Sequence, residues 1–118
     1  MTGLAYKLAD RAEWAEARAT GAYEGSAVDR ADGYIHMSTA AQLAETARRH
    51  YAGRDDLVLV MVDLTVLGEG LRWEASRGGD LFPHLYGPLP MSAVRSGRTL
   101  SVRDDGEMIF ENGATGWP

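Results

Sequence analysis

The chain has 118 residues, a net charge of −5 and no cysteine. The length suits one domain that buries roughly two-thirds of its unfolded surface without a disulfide or metal staple. The missing cysteine excludes thiolate catalysis, cysteine-held zinc and iron–sulfur clusters, and the acidic balance argues against a general grip on nucleic-acid backbone.

The first residues lack the charged start and apolar run of a secretory signal. The longest apolar stretch, Leu57 to Val62, is far short of the about 20 residues that cross a bilayer. A soluble, cytoplasmic protein with no membrane contact is expected, as a monomer or weak homo-oligomer. Of the twelve basic residues only Lys7 is a lysine. Arginine forks onto carboxylate or phosphate, so the bias leans towards an anionic small ligand.

Leu4, Tyr6 and Leu8 alternate with Ala5 and Lys7, the pattern of a half-buried strand. Asp10 caps a helix running to about Ala19, with Gly21 as its stop. Residues 22–33, rich in glycine, serine and aspartate, read as a connecting loop. Tyr34–Ser38 reads as a short strand. Thr39 and Gln42 form a capping box for a second helix, whose apolar stripe is Ala40, Leu43, Ala44, Ala47 and Tyr51. Glu45 and Arg49 pair on its wet side.

Leu57–Val62 is a central strand buried on both faces. Leu71–Glu74 is a shorter strand, and a glycine-broken loop follows at 76–80. Val94–Val102 and Glu107–Phe110 flank a hairpin turn at Asp105–Gly106. The tail from 111 to 118 has little to hold it and is expected to fray. With no linker or repeat, residues 1–118 form a single domain with a core of about 4–110. Strands fall before and after two helices without a βαβ rhythm, which gives an α+β class.

Three segments can carry chemistry. With the period-two alternation of strands, Tyr34, His36 and Ser38 share one face, and so do Phe82, His84 and Tyr86. Each segment presents a histidine flanked by aromatic or hydroxyl groups, and Pro83, Pro88 and Pro90 stiffen the second. In the third, Trp73 points inward and sends Arg72 and Glu74 to the opposite face, beside Arg77 and the pair Gly78–Gly79. Both histidine segments are expected to line one polar cleft. His50, late in a helix, has a structural role in which an imidazolium suits the dipole. A metal triad of His36, His84 and Glu74 matches no tight ligand spacing, so no metal is expected. A Ser–His–Asp hydrolase would need Ser38 on a sharp elbow, whereas it sits at a strand-to-helix junction.

These segments, Tyr6–Leu8, Gly33–Gln42, Asp55–Leu59, Arg72–Glu74 and Phe82–Leu89, strongly resemble the bacterial family called domain of unknown function 952. That family in turn resembles, more distantly, the ADP-ribosyltransferase superfamily, whose split, strongly bent and mostly antiparallel β core holds NAD in a cleft. The resemblance implies an ADP-ribosylation-like fold, with NAD or a related nucleotide as the small-molecule partner. It implies cleavage of the nicotinamide–ribose bond and transfer of ADP-ribose, with Glu74 and His36 as catalytic groups. Tyr6, Lys7, Ser38, Arg72, Arg77, His84 and Tyr86 are the ligand-binding candidates. Many relatives carry a histidine after the first-strand tyrosine, where this chain has Lys7, a point charge in place of a ring. That departure favours the alternative, a non-catalytic module recognising a nucleotide or an ADP-ribosylated or phosphorylated group.

Overall fold

The computed structural model describes residues 3–115 of the chain. Among these residues nine strands form three antiparallel sheets, with three α-helices against them, an α+β domain. The largest sheet runs β1 (Leu4–Asp10), β4 (Leu57–Asp63), β8 (Val94–Val102), β9 (Met108–Phe110). Its centre is the LVLVMV run, paired on both sides by β1 and β8. Val58, Val60 and Val62 pack into one cluster and Leu57 and Leu59 into another, so the strand is buried on both faces as expected. The Asp105–Gly106 turn also lies where the pattern put it, with Arg103 and Glu107 closing the hairpin at 2.8 Å.

The second sheet is β3 (Ile35–His36), β6 (Leu81–Leu85) and β5 (Leu71–Ala75), with β6 in the middle. Ile35, Leu85, Leu71 and Trp73 turn one face of it to the core. Its other face is left for polar and aromatic groups. A two-stranded piece, β2 (Ala22–Tyr23) with β7 (Leu89–Pro90), completes the sheets.

α1 (Arg11–Thr20) is capped by Asp10 and stopped by Gly21 in the left-handed conformation, as the residues suggest. α3 (Ala40–His50) carries the Thr39–Gln42 capping box, and the Glu45–Arg49 pair closes at 2.7 Å. Its buried stripe is narrower than the sequence suggests: Leu43 and Ala47 are buried and Tyr51 is half-buried, whereas Ala40 and Ala44 are exposed. Alanine is small enough to sit on either side of a helix, so its periodicity is weak evidence.

Residues 22–33, expected to be a loop, contain a third helix, α2 (Ala27–Asp32). Ser26 and Asp29 form its capping box, and Gly33 ends it with φ 89°. The strand expected over Tyr34–Ser38 is only two residues long: Met37 N still donates to Pro83 O of β6 at 3.1 Å, and from Ser38 the chain crosses to β1. There Tyr6 and Ser38 exchange both backbone hydrogen bonds, at 2.8 and 2.9 Å, in an isolated bridge. This bridge joins the two large sheets. Glu111–Thr115 fold back on β8 and β9 through bonds from Glu111 N to Thr99 O and from Phe110 N to Ala114 O. Residues 116–118 of the expected fraying tail lie outside the described residues. No helix among those described is long and apolar enough to cross a membrane.

Candidate functional site

His36 and His84 are direct partners in the β3–β6 register, and Arg72 faces His84 across the β5–β6 register. Residues paired across a sheet project from the same face, so the outward face of this sheet gathers His36, His84, Arg72, Glu74 and Phe82. Forty-eight positions apart in the chain, the two imidazoles have ring centroids 5.5 Å apart. Tyr34 lies against both, at 4.5 and 4.2 Å, and against Tyr86 at 5.1 Å. Arg72 sits 5.2 Å over the Tyr86 ring.

Each histidine is fixed by a carboxylate. His84 Nδ1 donates to Glu74 Oε1 at 2.8 Å, and the Tyr86 hydroxyl donates to the same oxygen at 2.8 Å. These two bonds, that from His84 first, hold the Glu74 carboxyl below its usual range. The Tyr86 hydroxyl is pushed up by the same bond. His36 Nδ1 meets Asp29 Oδ1 at 2.6 Å, and its Nε2 meets Asp32 Oδ2 at 2.9 Å. An imidazole can donate from both nitrogens only as the imidazolium.

Asp29 is the hub beneath. Its side chain is 2% exposed and it accepts from Lys7 Nζ at 2.9 Å, from His36 on ring and backbone, and from Ser26 N. Burial alone would raise the Asp29 carboxyl; the bonds from His36 and Lys7 outweigh it and hold the group well below the usual carboxylate range. Lys7 is as buried as its partner, and desolvation pulls its ammonium below the ordinary value despite the opposing pull of Asp29. The buried cation of β1 is therefore neutralised within the protein.

A cleft of about 520 Å³ opens beside this network, between α2, α3 and the outward face of the β3–β6 pair. Among the candidates named from sequence, Tyr6, Lys7, His36, Ser38, Arg77 and His84 line it. Arg72, Glu74 and Tyr86 do not; Glu74 is tied to the cleft by its bond to His84, Tyr86 bonds Glu74 and Arg72 lies over Tyr86. Trp73 faces the core as expected. The Ser38 hydroxyl bonds Thr46 Oγ1 at 2.9 Å. Arg77 lies 4.9 Å over the Phe82 ring with one long contact, 3.4 Å, to Thr46.

The cleft also takes Asp29, Asp32, Thr46 and Arg54, which sequence reasoning passed over as site residues, and His50, which it gave a structural role. The S-x-x-D spacing of Ser26 and Asp29 was a legible sign of the missed helix, and a lysine between Ala5 and Ala9 on a buried strand face calls for an acidic partner. His50 departs from its expected role. Burial first, then the cations Arg77 and Arg49, pull it below its normal value, which disfavours the imidazolium that a helix end would otherwise support. A second hollow of about 530 Å³, along Gly53–Asp55 and 101–105, is open and holds no histidine. Among the described residues no group of three or more histidines and carboxylates is arranged to hold a metal ion.

Residues 8–97 match the model of a family described as "Protein of unknown function (DUF952)". The crystal structure of protein CC0527 from Caulobacter crescentus is 52% identical, with a TM-score of 0.83 over 87% of this chain and 90% of that one. The solution NMR structure of CC0527 gives 51% identity and a TM-score of 0.77 over 89% of this chain and 90% of that one. No curated protein matches the chain.

Proposed function

The chain belongs to the DUF952 family, and from that premise we propose that its histidine-lined cleft binds a nucleotide of the NAD class. One observation carries the reading: two imidazoles from distant segments, each held by a carboxylate, meet at 5.5 Å where a ligand-sized cleft opens. Its volume of about 520 Å³ falls within the range of small-molecule sites. The split sheets, joined at one bridge, are read as an ADP-ribosylation-like core.

NAD carries two phosphates, flat rings and ribose hydroxyls, and the lining suits each. Arg77, whose guanidinium lies over Phe82 and makes one long hydrogen bond to Thr46, can take phosphate. Ser38 and His84 can meet ribose hydroxyls, and Val28, Met37 and Phe82 offer apolar surface for a ring. Lys7 is spent on Asp29 and adds little net charge. A bound NAD would bring a ribosyl bond that breaks with positive charge developing on the sugar. A carboxylate could stabilise that charge, but Glu74 does not line the cleft and its carboxylate is taken by His84 and Tyr86. Binding without ADP-ribosyl transfer is therefore the better-supported reading.

Titration calorimetry with NAD, ADP-ribose and AMP tests it. His36→Ala and His84→Ala should each weaken binding about tenfold, the scale of one lost hydrogen bond to a charged partner, with no nicotinamide released by the native protein. Unchanged affinity beside a lowered melting temperature would return both histidines to a purely architectural role.

A further inference from the structure

We infer that the paired imidazoles are an acid–base couple that hydrolyses a small nucleoside phosphodiester in the cleft, with His84 as general base and His36 as general acid. This rests on the nucleotide-binding reading above and adds a reaction to it.

The two rings share one sheet face but are wired differently. His84 donates from Nδ1 to Glu74, so whenever the ring is neutral its lone pair sits at Nε2. That Nε2 has no hydrogen-bond partner among the described residues. Nor is it sealed from solvent, since the Tyr23 hydroxyl is the only fully buried, unpartnered side-chain polar atom among them. His84, its side chain 4% exposed, is among the residues that line the cleft, and we take this nitrogen as the atom it presents there. His36 has a carboxylate at each nitrogen, Asp29 at 2.6 Å and Asp32 at 2.9 Å, an arrangement that offers an acceptor to both hydrogens of an imidazolium. Asp29 is buried and committed to Lys7. Asp32 is 47% exposed, so its bond to Nε2 is the one a ligand oxygen can replace. One ring is thus set to accept a proton and the other to give one.

In the reaction His84 Nε2 removes a proton from water as the water oxygen bonds to phosphorus. The bond from phosphorus to the ester oxygen breaks, and that oxygen takes the proton from His36 Nε2. A phosphomonoester and an alcohol leave, and the proton on His84 returns to His36 through solvent. Arg77, in the same cleft, can meet the negative charge that grows on the phosphoryl oxygens. An alkoxide leaves poorly without a proton, whereas a phosphate leaves readily. The couple therefore suits a phosphodiester better than the phosphoanhydride of a dinucleotide. The titratable and charged groups that face the couple are Glu74, Tyr86 and Arg72 around His84, Asp29, Asp32 and Lys7 around His36, Tyr34 against both rings, and His50 and Arg77 in the cleft lining.

The probe is adenosine 2′,3′-cyclic monophosphate, incubated with the full chain and followed by phosphorus NMR. A monoester should form, at a rate that passes through a maximum with pH because one ring must be free and the other protonated. His84→Asn and His36→Asn should each lose about 100-fold or more. Glu74→Gln, altering a positioning residue, should lower kcat with KM little changed and displace the acid limb of the pH profile. Circular dichroism establishes folding, and His84→Gln serves if His84→Asn unfolds. If calorimetry shows the cyclic nucleotide bound but no monoester forms, or if a folded His84 variant retains full rate, the hydrolytic couple is overturned and the nucleotide-binding reading stands. If neither the cyclic nucleotide nor NAD binds, both are overturned.

Discussion

Lys7 and Asp29 put opposite charges into side chains that are 4% and 2% exposed. A buried pair gains little over an apolar pair of the same shape, but removing one member strands the other. Asp29→Ala should therefore cost about 3–5 kcal/mol in urea denaturation. Lys7→Met combined with Asp29→Leu should recover the share owed to the stranded lysine, leaving the loss from the unpaired His36 and Ser26 donors, and a double variant as unstable as Asp29→Ala would overturn this reading of Lys7. The pair also sets an acid limit. The folded Asp29 carboxyl lies below its unfolded value, so its contribution is complete above the unfolded pKa of about 4. It is lost as pH falls through the lower folded value. Melting temperature should drop below about pH 4, and less steeply in Asp29→Asn. In the sequence, Lys7 read as a ligand-binding cation. Its commitment to Asp29 was hidden because an aspartate in a segment that reads as a loop carries no sign of the strand it will meet.

At the scale of elements, α2 is the piece on which the network depends and the one that periodicity could not reveal. Six residues are too few for an apolar stripe, and a helix this short is held by its cap and by tertiary contacts. Ser26→Ala should cost about 1 kcal/mol, measured by chemical denaturation. Gly25 precedes it with φ 98°, and an added Cβ would lie 2.7 Å from the Asp29 Cβ. Gly25→Ala is strained in backbone and crowds the hub, so it should destabilise by more than 1 kcal/mol and weaken ligand binding with it. The longer elements were legible. The caps of α1 and α3, the apolar run of β4 and the β8–β9 hairpin all lie where local rules placed them. The register that sets His36 opposite His84 was not, because pairing between segments 48 residues apart depends on the whole sheet.

For the whole molecule, β1 and β4 divide the interior. Alternate side chains, Ala5 and Ala9 with Val58, Val60 and Val62, enter one cluster under α1 and the three-stranded sheet. Tyr6, Leu8, Leu57 and Leu59 enter the other beneath α3. Two cores that share strands cannot melt separately, so unfolding should be a single transition. Leu59→Ala, 4% exposed in one cluster, should cost about 2–5 kcal/mol. It should also displace the curves from tryptophan fluorescence and circular dichroism equally, although Trp14 sits in the other cluster. Curves that separate would mean the two cores fold independently.

The Tyr6–Ser38 bridge gives the molecule a natural gauge. The paired amides of Tyr6 and Ser38 staple the backbone of the large sheet to that of the histidine-bearing one beside the cleft. Their deuterium uptake reports how often that junction breathes, and a nucleotide clasped beside it should slow exchange at these two positions while leaving the middle of β4 unchanged.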